Sequence, residues 1–207
     1  MEFLFQVVLP RCLCAFLLGA VPFAWLVVRL CKKIDLRTVG SGNVGATNAS
    51  RAFAGKGPRT VAFVLIYALD AGKGFAAAKV AGDEFAAFPV LCAGCAVLGH
   101  VFTPFLRFRG GKGVATATGA LLALDWQLTV VAIVVFIVVR VATGHVFFGS
   151  LALGVALAAG AVALHPGTAF YDRLPLTLLC VSIAVFLFWT HRSNLKKHFA
   201  ARAAGNA

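Results

Sequence analysis

The sequence predicts an all-α integral membrane protein. Of its 207 residues, 61% are hydrophobic and only 13% are charged, and the mean hydropathy is +0.93. These values lie outside the usual composition of soluble globular domains. The 19 Lys and Arg against 7 Asp and Glu give a net charge of +12. The basic residues cluster in short segments between apolar runs, which suits loops that face anionic lipid or bind anionic substrates.

Five apolar segments are long enough to cross a bilayer, because a helix needs about 20 apolar residues to span a hydrocarbon core of roughly 30 Å. These segments cover residues 3–28, 60–81, 85–106, 147–164 and 174–190. The first segment has Glu2 in place of a basic stretch and continues to Val28. We therefore expect it to remain as a membrane span and not to be cleaved as a signal peptide.

The stretch from residue 113 to residue 140 is ambiguous. As a single helix it would be about 42 Å long, and it would hold Asp125 near its middle, where a carboxylate is costly. We therefore predict two helices that meet at Asp125. The first, Gly113–Leu124, is a half-helix too short to cross the membrane, and the total becomes about seven transmembrane helices including this half-helix.

Basic residues predict the orientation of the chain. Residues 29–59 contain seven Lys and Arg and residues 191–207 contain four, and such segments stay on the cytoplasmic side. An odd number of crossings must then separate the N-terminus from the tail. Seven crossings place the N-terminus outside and the C-terminus in the cytoplasm. They also place Arg107, Arg109 and Lys112 on the cytoplasmic face.

The six cysteines predict neither a disulfide framework nor a metal site. Five of them lie inside apolar runs, and we interpret these as small buried hydrophobic residues: Cys12, Cys14, Cys92, Cys95 and Cys180. The Cys92–Cys95 pair lacks a thioredoxin-like context and the second pair that a zinc site needs. We expect no metal and no cofactor.

The segment Gly40–Arg51, GSGNVGATNASR, satisfies the pattern G-x-G-x-x-G. It follows a membrane helix and not a strand, and no Asp or Glu occurs between Asp35 and Asp70, so it does not fit a dinucleotide-binding motif. What remains is a polar, glycine-rich loop that can present backbone amides to an anion. The alternative is a solvated connecting loop.

A second glycine-rich segment, Gly110-Gly-Lys-Gly113, opens the predicted half-helix. It is not a Walker loop, because Leu106 replaces the leading glycine and no Ser or Thr follows Lys112. Glycines permit close approach, and a helix N-terminus offers N–H groups and the positive end of the helix dipole. This pattern favours an anion site over a simple anchor to lipid headgroups.

Several single polar residues are compatible with both a structural and a functional role. His100 ends the third crossing and is either bonded to a carbonyl or part of a site. His191 and Asn194 lie three residues apart, on one face of a helix that continues past the last crossing, and either a structural or a functional role fits. Asp70 and Lys73, in an otherwise apolar span, fit a structural ion pair and a functional charge equally well.

Taken together, three segments resemble the bacterial acyl-phosphate:glycerol-3-phosphate acyltransferases, the PlsY family. The family motif G-S-G-N-P-G-A-T-N-x-x-R is similar to Gly40–Arg51, with Val44 in place of Pro. The second motif is similar to Gly99-His100 and Phe108–Thr116, and the third, H-x-x-N, is similar to His191–Asn194. The sequence departs from the family at Thr103-Pro104, where the Pro stands one place later, and lacks the Gly-Thr-Glu ending after His198.

The resemblance implies transfer of a fatty acyl group from acyl phosphate to the 1-hydroxyl of glycerol 3-phosphate, which gives lysophosphatidic acid and phosphate. It implies a single multi-pass domain over residues 1–207 in the bacterial inner membrane, with the active site on the cytoplasmic side and membrane lipid around it. No cofactor and no nucleic acid are expected, and the oligomeric state stays open.

The same resemblance implies the site residues. His191 and Ser41 are the candidate catalytic residues. The candidate substrate-binding residues are Ser41, Gly42, Asn43, Thr47, Asn48, Arg51, His100, Gly110, Gly111, Lys112, Gly113, Thr116 and Asn194. Within this set, Ser41, Arg51, Lys112 and Asn194 are expected to bind glycerol 3-phosphate. The backbone amides of Gly42, Gly110, Gly111 and Gly113, together with His191, are expected to hold the acyl-phosphate head.

Acyl phosphate is already activated, so positioning and charge stabilisation suffice and no acyl-enzyme is required. We expect the proton of the attacking hydroxyl to pass to the substrate phosphate, which His191 orients; the alternative is His191 as general base. None of the five histidines has an Asp five positions later, which excludes the H-x-x-x-x-D acyltransferase mechanism. The runner-up function is a transporter of a phosphorylated solute, although the internal repeat expected of one is not found.

Overall fold

The computed structural model describes residues 2–82 and 87–205, and every regular element in these residues is helical. The α-helices are α1 (Leu9–Ala20), α2 (Phe23–Lys32), α3 (Ala46–Ala49), α4 (Lys56–Lys79), α5 (Phe88–Val101), α6 (Val114–Leu124), α7 (Trp126–Thr143), α8 (Val146–Ala163) and α9 (Leu174–Ala203). A π-helical turn, Leu4–Val8, precedes α1, and 3-10 turns cover Leu36–Thr38, Ser50–Ala52 and Pro104–Leu106.

Six described segments are long and apolar enough to cross a membrane: Leu4–Lys32, Lys56–Lys79, Phe88–Leu106, Trp126–Thr143, Val146–Ala163 and Leu174–Ala203. Helix α6 has only 11 residues, and α7 begins directly after Asp125. The prediction of two helices that meet at Asp125 is therefore confirmed, and six spans with one half-helix give the expected seven. The predicted start of the third span, residues 85–86, lies outside the described residues.

The chain divides into two compact units, Met1–Leu124 and Asp125–Ala207. The first unit contains α1 to α6 and both glycine-rich segments. The second contains α7 to α9 and the segment with His191 and Asn194. The boundary between the units coincides with the end of the half-helix.

The first span is broken at Val21 and Pro22, which hydropathy did not predict. Proline has no N–H to donate, and ψ at Val21 is 118°, outside the helical range. Two side chains bond carbonyls at the break: the Thr103 hydroxyl donates to the oxygen of Ala20 at 2.6 Å, and Lys73 Nζ donates to the oxygen of Val21 at 2.7 Å. Since a bilayer interior offers no water to backbone groups, these contacts stabilise the break.

Glycines allow the helices of the first unit to pack closely. A Cβ on Gly74 of α4 would lie 2.1 Å from the carbonyl oxygen of Thr116, and one on Gly119 of α6 would lie 1.8 Å from a carbonyl oxygen of α4. Helices α1 and α5 meet in the same way at Gly19 and Gly99. Small residues at membrane helix contacts let the backbones approach, and here they hold the half-helix against α4.

In the second unit, Asp125 joins three helix ends. Its Oδ1 accepts a hydrogen bond from the N–H of Leu128 at 2.9 Å, which caps the start of α7. Its Oδ2 accepts a hydrogen bond from Arg173, just before α9, and lies 3.6 Å from Nε2 of His165, which follows α8. The carboxylate is thus paired, as a charge near apolar helices requires.

The cysteines are all free thiols. Cys92 and Cys180 are buried and Cys95 and Cys12 are half-buried, but Cys14 is exposed. The prediction that all five are buried is therefore wrong for Cys14 and only partly right for the two half-buried residues. The physical reason is that apolar positions in a membrane span can face either lipid or protein, and an apolar run does not distinguish the two.

The close approach of α4 and α6 gives a testable prediction. Gly74→Ala should lower the free energy of unfolding by about 1 to 3 kcal/mol, because the new methyl group overpacks the contact. Gly72→Ala is the matched control, since Gly72 is exposed on the same helix and a Cβ there meets nothing within 4 Å. It should be neutral or slightly stabilising. Thermal unfolding in detergent measures both, and equal melting temperatures would contradict the packing described.

Candidate active site

Asn48 organises the first glycine-rich segment. Its Nδ2 donates to the carbonyl oxygens of Val39 at 2.8 Å and Asn43 at 2.9 Å, and its Oδ1 accepts from the N–H of Ser41 at 3.0 Å. The side chain is buried, and both of its N–H groups are used inside the loop. Asn48 therefore shapes the loop that carries Ser41, and its expected contact with substrate stays a prediction.

Backbone geometry explains the two glycines beside Ser41. Gly40 and Gly42 have φ of 52° and 72°, a conformation that favours glycine, and a Cβ on Gly40 would lie 2.6 Å from Oδ1 of Asn48. The side chains around them differ in exposure. Ser41 and Arg51 are exposed, whereas Asn43 and Thr47 are half-buried.

A turn before this loop supports it, which sequence reasoning missed. Asp35 caps the turn Leu36–Thr38: its carboxylate accepts from the backbone N–H of Arg37 at 2.9 Å, from the Arg37 guanidinium at 2.6 Å and from Trp25 Nε1 at 3.2 Å. The hydrogen bonds from the Arg37 side chain and backbone hold the pKa of Asp35 well below its usual range. Arg37 is therefore paired within the loop. An Asp at the start of a turn was the signal for this cap.

The second glycine-rich segment folds back on the end of α5. The N–H of Gly110 donates to the carbonyl oxygen of Val101 at 2.9 Å, and the N–H of Gly111 donates to that of His100 at 3.1 Å. In the first segment, the N–H of Gly42 likewise donates to a loop carbonyl at 2.9 Å. The three amides thus donate to carbonyls of the protein, and carbonyls at a helix end need such donors; that these amides hold an acyl-phosphate head stays a prediction.

His100 lies beneath this second turn. A Cβ on Gly110 would come within 2.0 Å of the His100 carbonyl oxygen, and one on Gly111 would come within 2.1 Å of its Nε2. The side chain of His100 is only 7% exposed, and its Nδ1 lies 3.6 Å from Oδ1 of Asp70. The two glycines are thus required by the close packing of the turn on His100.

The half-helix α6 begins directly after the turn. Gly113, with φ of 84°, leads into it, and the half-buried Lys112 precedes it. Thr116, in the first turn of α6, is 0% exposed, and its hydroxyl has no hydrogen-bond partner among the described residues. A buried hydroxyl without a partner is costly, which makes Thr116 a candidate contact for a bound group or a water molecule.

One apolar cluster joins the two glycine-rich segments of the first unit. Val44, Ala46 and Ala49 from the first segment pack in the same cluster as Leu106, which precedes the second turn. Val44, at the position where the family motif has Pro, is buried in this cluster. The structure therefore packs the first motif against the stretch that leads into the second glycine-rich turn.

In the second unit, helix α9 is continuous from Leu174 to Ala203, which confirms that His191 and Asn194 share one helical face. His191 is buried, and its Nδ1 lies 2.9 Å from the carbonyl oxygen of Leu187. A carbonyl only accepts hydrogen bonds, so Nδ1 carries the proton and Nε2 is the acceptor of the neutral ring. Asn194 is half-buried one turn further on.

Comparisons with known proteins agree on one family. A family model described as "Glycerol-3-phosphate acyltransferase" matches residues 9–201. The chain is 42% identical to the glycerol-3-phosphate acyltransferase of Jannaschia sp. (strain CCS1) over 191 residues, which cover 89% of this chain and 86% of that protein. It is also 42% identical to the enzyme of that name from Thermus thermophilus over 188 residues, 89% of this chain and 88% of that protein.

Two solved structures are similar to most of the chain. Both are of PlsY (YgiH), an integral membrane glycerol 3-phosphate acyltransferase. Its glycerol 3-phosphate form has a TM-score of 0.82 at 29% identity, and covers 94% of this chain and 93% of that one. Its lysophosphatidic acid form has a TM-score of 0.81 at 26% identity with the same coverage.

The role of Asn48 in the loop gives a second prediction. Asn48→Asp keeps the size of the side chain and the acceptor for the Ser41 N–H, but it removes both donors and places an anion against two carbonyl oxygens. We expect the free energy of unfolding to fall by about 1 to 3 kcal/mol. Asn43→Asp is the control for a new charge in the same loop. If thermal unfolding shows equal losses for both variants, Asn48 does not organise the loop.

Proposed function

The chain belongs to the glycerol-3-phosphate acyltransferase family, and we propose that its acyl donor is acyl phosphate. The protein is an acyltransferase that acylates glycerol 3-phosphate, as the family assignment and the similarity to PlsY indicate. In the proposed reaction the 1-hydroxyl attacks the acyl carbon. The bond from that carbon to the phosphate oxygen breaks, and lysophosphatidic acid and inorganic phosphate form.

The observation that carries this proposal is that the first polar segment packs in one apolar cluster with Leu106, which lies shortly before the second polar segment. Two phosphorylated substrates require cationic and polar groups close together at a membrane surface. The first segment supplies the exposed Ser41 and Arg51, and the second supplies Lys112. Charge-assisted hydrogen bonds from such cations to phosphate are among the stronger polar contacts.

For glycerol 3-phosphate, we propose Ser41, Arg51 and Lys112 of the first unit as ligands. Arg51 and Lys112 match the charge of the phosphate, while Ser41 supplies a neutral hydrogen bond. The expected role of Asn194, in the second unit, stays a prediction from the motif. Asn43 and Thr47 belong to the same polar segment. Asn48 takes a supporting role, because its amide is already bonded within the loop.

For the head of acyl phosphate, we propose the start of α6; the expected contribution of His191, in the second unit, stays a prediction from the motif. Gly113 and the buried hydroxyl of Thr116 lie at this helix start, where the helix dipole favours an anion. Gly42, Gly110 and Gly111 contribute the shape of the loops and not amide donors. This assignment changes the roles expected from the sequence and keeps the residues.

We propose that catalysis is substrate-assisted. An oxygen of the acyl phosphate takes the proton of the attacking hydroxyl, and no acyl-enzyme forms, since phosphate is a good leaving group. Ser41 then acts by orienting the acceptor, and His191 acts by orienting the donor. The bond from His191 Nδ1 to Leu187 fixes the ring, which also suits the alternative in which Nε2 is the general base.

The location of the reaction is part of the proposal. We infer a single multi-pass domain in the bacterial inner membrane, with the N-terminus outside and both the C-terminus and the active site on the cytoplasmic side. The support is the concentration of Lys and Arg in residues 29–59, 107–112 and 191–207. Membrane lipid would surround the spans.

A donor assay tests the proposal. Purified protein is incubated with glycerol 3-phosphate and, separately, with acyl phosphate, acyl-CoA or acyl carrier protein, and lysophosphatidic acid is measured. We expect product with acyl phosphate alone. Product from either thioester donor, or none from acyl phosphate, would overturn the donor assignment.

Removal of the Lys112 ammonium should weaken phosphate binding. Lys112→Ala is expected to lower kcat/KM by roughly ten- to a hundredfold, which corresponds to a charge-assisted hydrogen bond of about 1.5 to 3 kcal/mol. Lys79→Ala, which removes an exposed cation from the last turn of α4, is the control and should leave kcat/KM unchanged. Equal kinetics for both variants would remove Lys112 from the site.

His191→Gln distinguishes the two proton paths. Glutamine can still donate a hydrogen bond to phosphate but cannot accept the proton, so substrate-assisted catalysis predicts that measurable turnover remains. The control is His198→Gln on the same helix, which should leave kcat unchanged. Complete loss of turnover with intact substrate binding in the His191 variant alone would establish the general-base alternative.

A further inference from the structure

We propose that Asp70 is a positioning residue that acts through His100 to fix the turn from Gly110 to Lys112. The inference rests on the proposed function in one respect, namely that Lys112 binds the phosphate of glycerol 3-phosphate. It assigns a role to a buried carboxylate that belongs to neither glycine-rich segment.

The geometry is a buried polar cluster of Asp70, Lys73 and His100, which are 2%, 3% and 7% exposed. Oδ1 of Asp70 lies 2.9 Å from Nζ of Lys73 and 3.6 Å from Nδ1 of His100. Ionisable groups inside a membrane protein are costly unless they are paired or serve a function. The interactions of the cluster must therefore offset the free-energy cost of burying its charges.

Lys73 has a structural task of its own. Its Nζ donates to the carbonyl oxygen of Val21 at 2.7 Å, at the break in the first span. A carboxylate that only neutralised this ammonium would need no second partner. The same oxygen of Asp70 also faces His100 of another helix, and this second contact requires a separate explanation.

His100 connects the cluster to the turn. Its carbonyl oxygen accepts the N–H of Gly111, and its ring leaves no room for a Cβ on that residue. The carboxylate of Asp70, at 3.6 Å from Nδ1, is beyond hydrogen-bond distance, but its charge favours the ring orientation that turns an N–H of His100 toward it. Rotation of an unrestrained His100 would displace Gly111 and, with it, the next residue, Lys112.

Charge removal separates the two roles of Asp70. Asp70→Asn takes away the partner of both Lys73 and His100, and the uncompensated ammonium can by itself unfold the protein. The double variant Asp70→Asn/Lys73→Gln removes both charges, so it avoids that penalty, keeps an N–H donor at residue 73 for the Val21 carbonyl and still leaves His100 without its carboxylate. Asp125→Asn is the matched control, because Asp125 pairs with a cation and also lies 3.6 Å from a histidine, His165.

We expect the KM for glycerol 3-phosphate to rise at least tenfold in the double variant, since misplacement of a binding group by about 1 Å costs up to roughly a hundredfold. Backbone amide exchange of residues 110–113 should also become faster than in the wild type. The Asp125 variant should keep the wild-type KM per folded molecule and the wild-type exchange at these residues. A double variant with the wild-type KM would show that Asp70 only balances Lys73, and would overturn the inference.

Hydrogen exchange keeps this test separate from that of the proposed function. If the wild-type protein makes no lysophosphatidic acid, the proposed function fails, while exchange at residues 110–113 still decides whether Asp70 holds the turn. If the wild type is active and the double variant exchanges these amides at the wild-type rate, the inference alone fails. Faster exchange with an unchanged KM also overturns it, because the turn would then move without effect on the substrate.

Discussion

The structure of the first unit depends on one constraint: backbone carbonyls inside a membrane must be hydrogen-bonded within the protein. Pro22 interrupts the first span, and the Lys73 ammonium and the Thr103 hydroxyl bond the carbonyls there. A buried ammonium requires a carboxylate, which Asp70 supplies. That carboxylate also faces His100, whose carbonyl holds the second glycine-rich turn. The break in one span is thus connected to the turn through consecutive polar contacts.

The same constraint explains the half-helix α6. A helix of 11 residues cannot cross the hydrocarbon core, so its ends must be satisfied by protein. Gly74 and Gly119 bring α6 against α4 at backbone contact distance. In the second unit, Asp125 caps the start of α7 and pairs with Arg173. The helix can therefore be interrupted at a carboxylate that a continuous helix would expose to lipid.

The sequence predicted the spans and the division at Asp125, because hydropathy and the cost of a buried carboxylate are both visible in the residues. It did not predict the break at Pro22, since one missing N–H hardly changes the hydropathy of a span. The sequence did not predict that the amides of Gly110 and Gly111 donate to helix carbonyls, because glycine permits close approach equally to a ligand and to a helix carbonyl. It did not predict the bonds of Asn48 to the loop backbone for a similar reason, as an amide side chain can bond loop backbone or substrate.

Helix α9 is longer than the hydrocarbon core of a bilayer is thick. At 1.5 Å per residue, His191 lies about 26 Å from the start of this 30-residue helix, a length close to the roughly 30 Å of hydrocarbon. A helix that enters the hydrocarbon at its first residue would therefore carry His191 to the far edge of the core. In the proposed reaction, a site at that depth would let a water-soluble alcohol meet an acyl chain that stays in the lipid.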